Sequence, residues 1–179
     1  MDDQKKAIAE SFSRSALRYN QAAKIQRQAA YELLAATKEN FGEHFNPEVV
    51  ADIGCGTGYL TQELIRSYQP QKYIGVDIAQ GMLDVASENN ADVINVEWLC
   101  AEAENLHLPD QSIDLIYANF SLQWCEDLPK LMNSFFRVLK PGGYCCFTSL
   151  SSNTLHELRH AWSVVDELSH VNQFYDKQQ

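Results

Sequence analysis

Short apolar runs alternate with amphipathic stretches along most of this chain. Residues 49–54, 73–77, 93–101, 113–118 and 144–150 are rich in aliphatic and aromatic side chains and predict five strands, at least the first of them buried. Between them, residues 58–68 place Tyr59, Leu60, Leu64, Ile65 and Tyr68 at helical spacing before Gln69-Pro70 stops the pattern. Residues 79–89 carry Met82, Leu83 and Ala86 as one stripe. Residues 127–139 carry Leu128, Leu131, Met132, Phe135, Phe136 and Leu139, with Asp127 as N-cap, Pro129 in the first turn and Lys140-Pro141-Gly142-Gly143 as the stop. Ahead of the first strand, residues 4–41 predict helix through Ile8, Phe12, Ala16, Tyr19, Ala23, Ile25, Ala29, Leu33 and Leu34, with a break at Tyr19-Asn20 and a loop over 42–47. After the fifth strand, Ser151-Ser152-Asn153-Thr154 is expected to cap a last helix reaching about Asp166.

Strand followed by helix, repeated, implies an α/β fold: a doubly wound parallel sheet with right-handed crossovers. The helical residues 1–45 read as a lid or arm, and 46–179 as the core. No repeats or low-complexity segments interrupt this plan.

The length of 179 residues suits one packed core, and 45% hydrophobic with 21% charged residues is globular composition. No run of 18 apolar residues is present, so no membrane span is expected, and no signal peptide follows Met1. Five cysteines without C-x-x-C spacing read as reduced thiols of a cytoplasmic protein. A net charge of −10 argues against nucleic acid and anionic membranes as partners. The charge is uneven. Residues 1–27 hold six basic side chains (Lys5, Lys6, Arg14, Arg18, Lys24, Arg27) against three acidic ones, leaving −13 on the remainder. A basic arm on an acidic body is either a docking surface for an acidic partner or a solvated helix face.

The chemistry concentrates where the first strand ends, in Asp52-Ile53-Gly54-Cys55-Gly56-Thr57-Gly58. Glycines permit φ > 0 and close approach of a ligand, and a strand-to-helix turn puts that ligand at the carboxyl end of the sheet. The dinucleotide fingerprint G-x-G-x-x-G is not met, because Gly58 comes one residue early and Tyr59 takes its place. Asp52, two residues before Gly54, would repel a bound phosphate and welcome a cation. S-adenosylmethionine carries a sulfonium and an ammonium and no phosphate, so it suits this loop better than a nicotinamide dinucleotide. Asp77 closes the second strand, where a carboxylate either accepts both ribose hydroxyls of an adenosine or caps the next helix.

The D-I-G-C-G-T-G stretch resembles motif I of the class I, Rossmann-like methyltransferases that use S-adenosylmethionine. That resemblance implies a strand order 3-2-1-4-5, with Asp52, Gly54, Gly56 and Gly58 around the cofactor and Asp77 on its ribose. Glu102 takes the position of the acid that binds the adenine amino group, although neighbouring Glu104 leaves the register open. Ile78 and Met82 would flank the adenine or belong to the core. Asn119, after the fourth strand, would stand near the transferred methyl group. Phe120-Ser121-Leu122-Gln123-Trp124-Cys125, Phe147-Thr148-Ser149-Leu150, the stretch from Leu155 to Asp166 with Ala161-Trp162, and the N-terminal Phe12, Arg18-Tyr19-Asn20-Gln21 and Ile25-Gln26-Arg27 are similar to the malonyl-acyl-carrier-protein O-methyltransferases of biotin synthesis, the BioC family. This resemblance spans nearly the whole chain. It implies methylation of the free carboxylate of a malonyl thioester, carried on acyl carrier protein or coenzyme A. Such a carboxylate ionises well below neutral pH and needs no general base. The enzyme must hold it in line with the methyl group and exclude water. Tyr19 is the candidate for positioning, against plain packing; Arg18, Lys24 and Arg27 are candidates for guiding the malonyl carboxylate or the phosphopantetheine.

His156-Glu157-Leu158-Arg159-His160 is a literal H-E-x-x-H, the helix motif of zinc proteases. It follows the fifth strand, and only His170 or Glu167 could offer a third ligand, so no metal is expected. Methyltransferases of the resembled class have seven strands, and this chain ends before the last two. The fifth strand would then be an exposed apolar edge that invites dimerisation. Two further readings stay open: a methyltransferase for another small molecule, and a shortened S-adenosylmethionine-binding module without turnover.

Overall fold

The structure, a computed structural model, describes residues 2–42, 45–166, 170 and 174. Two units form: Met1–Thr148 and Ser149–Gln179.

In the first unit, helices α1 (Asp3–Ala22) and α2 (Lys24–Phe41) precede strand β1 (Val49–Ile53). Helix α3 (Thr61–Tyr68), β2 (Lys72–Asp77), α4 (Gln80–Asn89), β3 (Val96–Cys100), β4 (Ile113–Asn119), α5 (Leu128–Val138) and β5 (Leu139–Thr148) follow. All strand pairs are parallel and the order is β3-β2-β1-β4-β5, as the alternation and the resemblance predict. The order reverses between β1 and β4, which opens a crevice above their carboxyl ends.

Side-chain alternation along the strands divides the core. Ala51 and Ile53 of β1, Ile74 and Val76 of β2 and Ile116 of β4 pack with Leu131, Phe135 and Val138 of α5. Val50, Tyr73, Leu115 and Tyr117 point the other way, onto Ala30 and Leu34 of α2 and Leu60, Leu64 and Tyr68 at α3. Most of the apolar stripe positions read from sequence are buried or half-buried; Phe136 at 84% and Ile25 at 73% exposure are not.

Several boundaries differ from the expected ones, each for a local reason. The N-terminal helix breaks at Ala23, whose φ of −84° and ψ of 40° leave the helical region, while the amide of Asn20 is engaged by Thr57. Helix α3 starts at Thr61, because Gly58 has φ +65°. Strand β3 starts at Val96, after Asn95 in a left-handed conformation. Strand β5 runs straight on from α5, but its register jumps from Ile113↔Leu139 to Leu115↔Tyr144, so Lys140 to Gly143 loop out as the expected stop. β5 is one edge of the sheet, with Tyr144 and Phe147 exposed.

In the second unit, helix α6 (His156–Ser163) begins later and ends earlier than expected. Thr154 Oγ1 accepts the N–H of Ser151 within a turn, and the N-cap position falls to Leu155 at φ +59°. Among the described residues, no helix is long and apolar enough to cross a membrane.

Candidate active site

Two carboxylates bracket the glycine turn. Asp52, the residue before the last of β1, is 4% exposed, and Tyr73 from β2 donates its hydroxyl to Asp52 Oδ2 at 2.7 Å. Thr61 Oγ1 lies 3.0 Å from the same hydroxyl. Burial pushes the Asp52 carboxyl up to about 7; the Tyr73 bond opposes that and the charge of Asp77 adds to it. Asp77 accepts the N–H of Ala79 on Oδ1 and that of Gly56 on Oδ2, each at 2.9 Å. Burial raises its pKa, against the pull of these amides. A carboxylate offers about four acceptor sites, so both readings of Asp77 coexist: it fixes the turn into α4 and keeps lone pairs for a ligand.

The three glycines serve different ends. Gly54 has φ +73°, and a Cβ there would sit 2.2 Å from Ser121 Cβ, where the chain after β4 crosses it. Gly56 has φ +56° and a Cβ would meet nothing within 4 Å, because it faces the open crevice. At Gly58 a Cβ would strike Asn90, Ala86 and Trp98. Gly54 and Gly56 line the crevice; Gly58 is a packing position beneath the turn.

The crevice encloses about 1040 Å³, its open mouth included, and its walls come from α1, α2 and the carboxyl ends of β1, β2, β3 and β4. Tyr19, Ile78, Met82, Glu102 and Asn119 all line it. Met82 is also packed to 1% exposure against Ala16 and Ala79, so it serves wall and core together. Burial and the charge of Asp77 raise the pKa of Tyr19, keeping its phenol neutral. Asn119 engages both ends of its amide. Its Nδ2 donates to Gln26 O at 2.9 Å and Tyr59 Oη at 3.1 Å, and its Oδ1 accepts from Thr148 Oγ1 at 2.7 Å. It thus ties β4 to β5 and to the helical arm.

The structure separates Glu102 from Glu104. Glu104 is buried, and its Oε1 accepts the N–H groups of Glu126 and Asp127 at 3.0 and 2.9 Å, holding the loop before α5. Glu102 sits at the rim with its side chain 19% exposed. Lys5 meets both, reaching Glu102 Oε2 at 3.2 Å and Glu104 Oε2 in closer contact. Burial lowers the Lys5 pKa, but the two carboxylates outweigh it and hold the ammonium charged.

Sequence reasoning missed Lys5, Gln26 and Ser121. Their partners lie dozens of positions away, beyond any local pattern. The Trp124 ring, from the Leu-Gln-Trp-Cys element, meets Phe12 edge-on at 5.2 Å on the crevice wall. Arg18 and Lys24 point to solvent and do not line the crevice, contrary to their candidacy for guiding a malonyl carboxylate. Arg27 lies over the Tyr59 ring at 5.6 Å.

In the second unit, His156 and His160 ride on α6, and His156 Nδ1 lies 3.1 Å from Glu157. His170 pairs with Asp166 at 2.8 Å and stacks on Trp162. Glu167 lies outside the described residues. No group of three potential metal ligands occurs among the described residues.

A family model described as "Methyltransferase domain" matches residues 51–147, more than half of the chain. The chain belongs to the methyltransferase domain family. The matched span holds every expected cofactor-binding residue; Tyr19 and the candidates Arg18, Lys24 and Arg27 lie on the preceding arm together with Lys5. Among curated relatives of this methyltransferase domain, the malonyl-[acyl-carrier protein] O-methyltransferase of Yersinia pestis is 38% identical over 170 residues, covering 95% of this chain and 60% of that protein. The biotin biosynthesis bifunctional protein BioHC of Cellvibrio japonicus is also 38% identical over 170 residues, covering 95% of this chain and 32% of that one. The chain thus spans less than two thirds of either relative. Among solved structures, Haemonchus contortus phosphoethanolamine N-methyltransferase 2 in complex with S-adenosyl-L-methionine superposes with a TM-score of 0.63 at 26% identity, covering 74% of this chain and 32% of that one.

Proposed function

We propose that this methyltransferase domain transfers a methyl group from S-adenosylmethionine to the free carboxylate of a malonyl thioester, the step that would feed biotin synthesis in the cytoplasm. One observation carries the cofactor reading: the crevice is acidic. Asp52, Asp77, Glu102 and Glu104 line it, and its one lysine among the described lining residues, Lys5, is engaged by two of them. A pyrophosphate has no counter-charge there, whereas a cationic cofactor does. The gap beside Gly56 is the fit test, since it leaves room for a ligand against the backbone just where two carboxylates converge.

In this reading Asp52 receives the cofactor's ammonium, Asp77 its ribose hydroxyls and Glu102 its adenine amino group, with Ile78 and Met82 beside the adenine. Bound S-adenosylmethionine supplies a methyl group made electrophilic by its sulfonium. Residues 1–45 act as a lid over the sheet of the first unit. Tyr19 and Asn119 hold the reacting region in shape, Tyr19 as a neutral phenol on the lid and Asn119 by fixing the lid to β4 and β5. The substrate carboxylate is ionised at neutral pH and needs no base, so orientation and exclusion of water are what the chain must provide. The malonyl substrate itself rests on the two 38% identical relatives. The outer edge of β5, unpaired with a strand among the described residues, offers a second copy a pairing surface, which sedimentation of the purified chain tests.

The test is a calorimetric titration with S-adenosylmethionine and S-adenosylhomocysteine, followed by methyl-transfer assays on malonyl-carrier protein, malonyl-coenzyme A and free short-chain acids. Binding with malonyl methylation is expected. An empty titration would end the methyltransferase reading. Binding without any transfer would favour the module without turnover. Transfer to free acids alone would favour another small-molecule substrate.

A further inference from the structure

We infer that the outer face of the elbow between α1 and α2 is the docking surface for an acidic carrier protein that presents the malonyl thioester. This rests on the function proposed above and goes on to locate the partner's contact surface. Residues 11–31 contain Arg14, Arg18, Lys24 and Arg27 and no acidic residue, in a chain whose net charge is −10. Helical geometry sorts them. On α1, Phe12, Ala16 and Tyr19 turn inward, and Arg14, Leu17, Arg18 and Gln21 share the opposite, exposed face. On α2, Lys24, Ile25 and Gln28 are exposed, on the side of the helix away from the buried Ala30 and Leu34.

Two features of this face work against the isolated chain. Leu17 is 82% exposed and Ile25 73% exposed, each within a turn of a basic side chain on its own helix. Lys24 occupies the first turn of α2, whose N-cap Ala23 makes no side-chain bond and whose first turn holds no acid. A helix N-terminus favours negative charge, so a lysine there costs local stability that a bound carboxylate would return. Among the described residues neither Arg18 nor Lys24 has an ion-pair partner, and Arg14 has only an exposed contact of 3.7 Å with Glu10. Exposed aliphatic side chains with cations beside them in the chain fit an amphipathic acidic helix, the apolar groups anchoring and the charges steering.

The elbow also adjoins the site. Tyr19 and Gln26 enter the crevice from the same turns whose outer sides carry Arg18, Lys24 and Ile25. The thickness separating partner from crevice is therefore one helix, about 10 Å. A flexible phosphopantetheine arm spans that distance.

The experiment compares the native chain with the double variant Arg18→Glu, Lys24→Glu and with Leu17→Ser. Substrates are malonyl-carrier protein and malonyl-pantetheine, which keeps the arm and discards the carrier. The double variant is expected to raise KM for the carrier substrate roughly tenfold at low salt, with kcat, KM for malonyl-pantetheine and the Kd for S-adenosylmethionine unchanged. Leu17→Ser should raise KM for the carrier substrate alone, by a smaller factor. Added salt should weaken the native chain's use of the carrier and hardly affect the double variant's. An unchanged KM for the carrier in the double variant, or an equal rise for both thioesters, overturns the proposal. If the native chain methylates neither substrate, the proposed function fails, and docking is read by fluorescence anisotropy of labelled holo-carrier protein. Binding that the double variant abolishes supports the surface; no binding, or equal binding, rejects it.

Discussion

The hydroxyl of Tyr73 donates to Asp52 Oδ2 at 2.7 Å, with both side chains buried in the sheet beneath the glycine turn. This bond is the direct opponent of the burial that lifts the Asp52 carboxyl to about 7. Tyr73→Phe should therefore raise that pKa further and leave more of the carboxyl protonated at neutral pH. Affinity for S-adenosylmethionine should fall several-fold at pH 7 and recover towards pH 9. Calorimetric titration of native chain and variant across this range checks it; an equal deficit at both pH values would show that Tyr73 acts by packing alone.

The same group makes a stability prediction. Its folded pKa lies above the unfolded one, so the folded state holds more protons between about pH 4 and pH 7, and stability falls as pH rises through that window. Asp52→Asn removes the ionisation while keeping an oxygen for the Tyr73 hydroxyl. The variant should match the native chain near pH 4.5 and exceed it at pH 8 by a few kcal/mol at most, since each tenfold change in acidity is on the order of 1.4 kcal/mol. Thermal melts at the two pH values measure this, and S-adenosylmethionine binding should be lost in the more stable protein.

Substitutions at the glycines should separate. Gly54→Ala drives a Cβ to 2.2 Å from Ser121 Cβ, an overpacking expected to cost about 3 kcal/mol or more. Adding Ser121→Gly removes the struck atom and should restore part of that loss. Gly56→Ala meets no atom within 4 Å and is penalised only by its φ of +56°, about 1–2 kcal/mol. The Gly56 variant should fold and bind S-adenosylmethionine poorly. Denaturant unfolding beside ligand titration distinguishes the two.

Lys5→Met removes the ammonium that Glu102 and Glu104 now share. Glu104 keeps its two backbone donors, so a loss of about 2–4 kcal/mol is expected, near the lower end for a broken buried pair. A double-mutant cycle with Glu104→Gln should show a coupling above about 1 kcal/mol. Additivity would mean that the contact contributes nothing specific.

Asn119→Asp keeps the bond from Thr148 and loses the donors to Gln26 O and Tyr59 Oη. Hydrogen exchange in residues of α2 near Gln26 should accelerate while β1 and β4 stay protected. Unchanged exchange would detach Asn119 from the arm.

What the sequence determined by itself was local in its physics. Side-chain periodicity set five parallel strands and their helices, because each element must bury one face and the pattern records which. The glycines after Asp52 and the acid ending β2 marked the crevice, because a tight turn and a strand-end carboxylate are legible in a few consecutive residues. Packing at long range decided the rest. Gly58 and Gly56 look alike in the chain, yet one is filled by Asn90 and Trp98 and the other opens onto the crevice. Glu102 and Glu104 both meet Lys5 from α1, but the amides before α5 reach Glu104 and hold it buried. Arg18 and Lys24 became an outward face only when Ala16, Tyr19 and Ala23 chose the inward one. Residues one or two apart share their local signal, and only the elements folded against them give each its separate task.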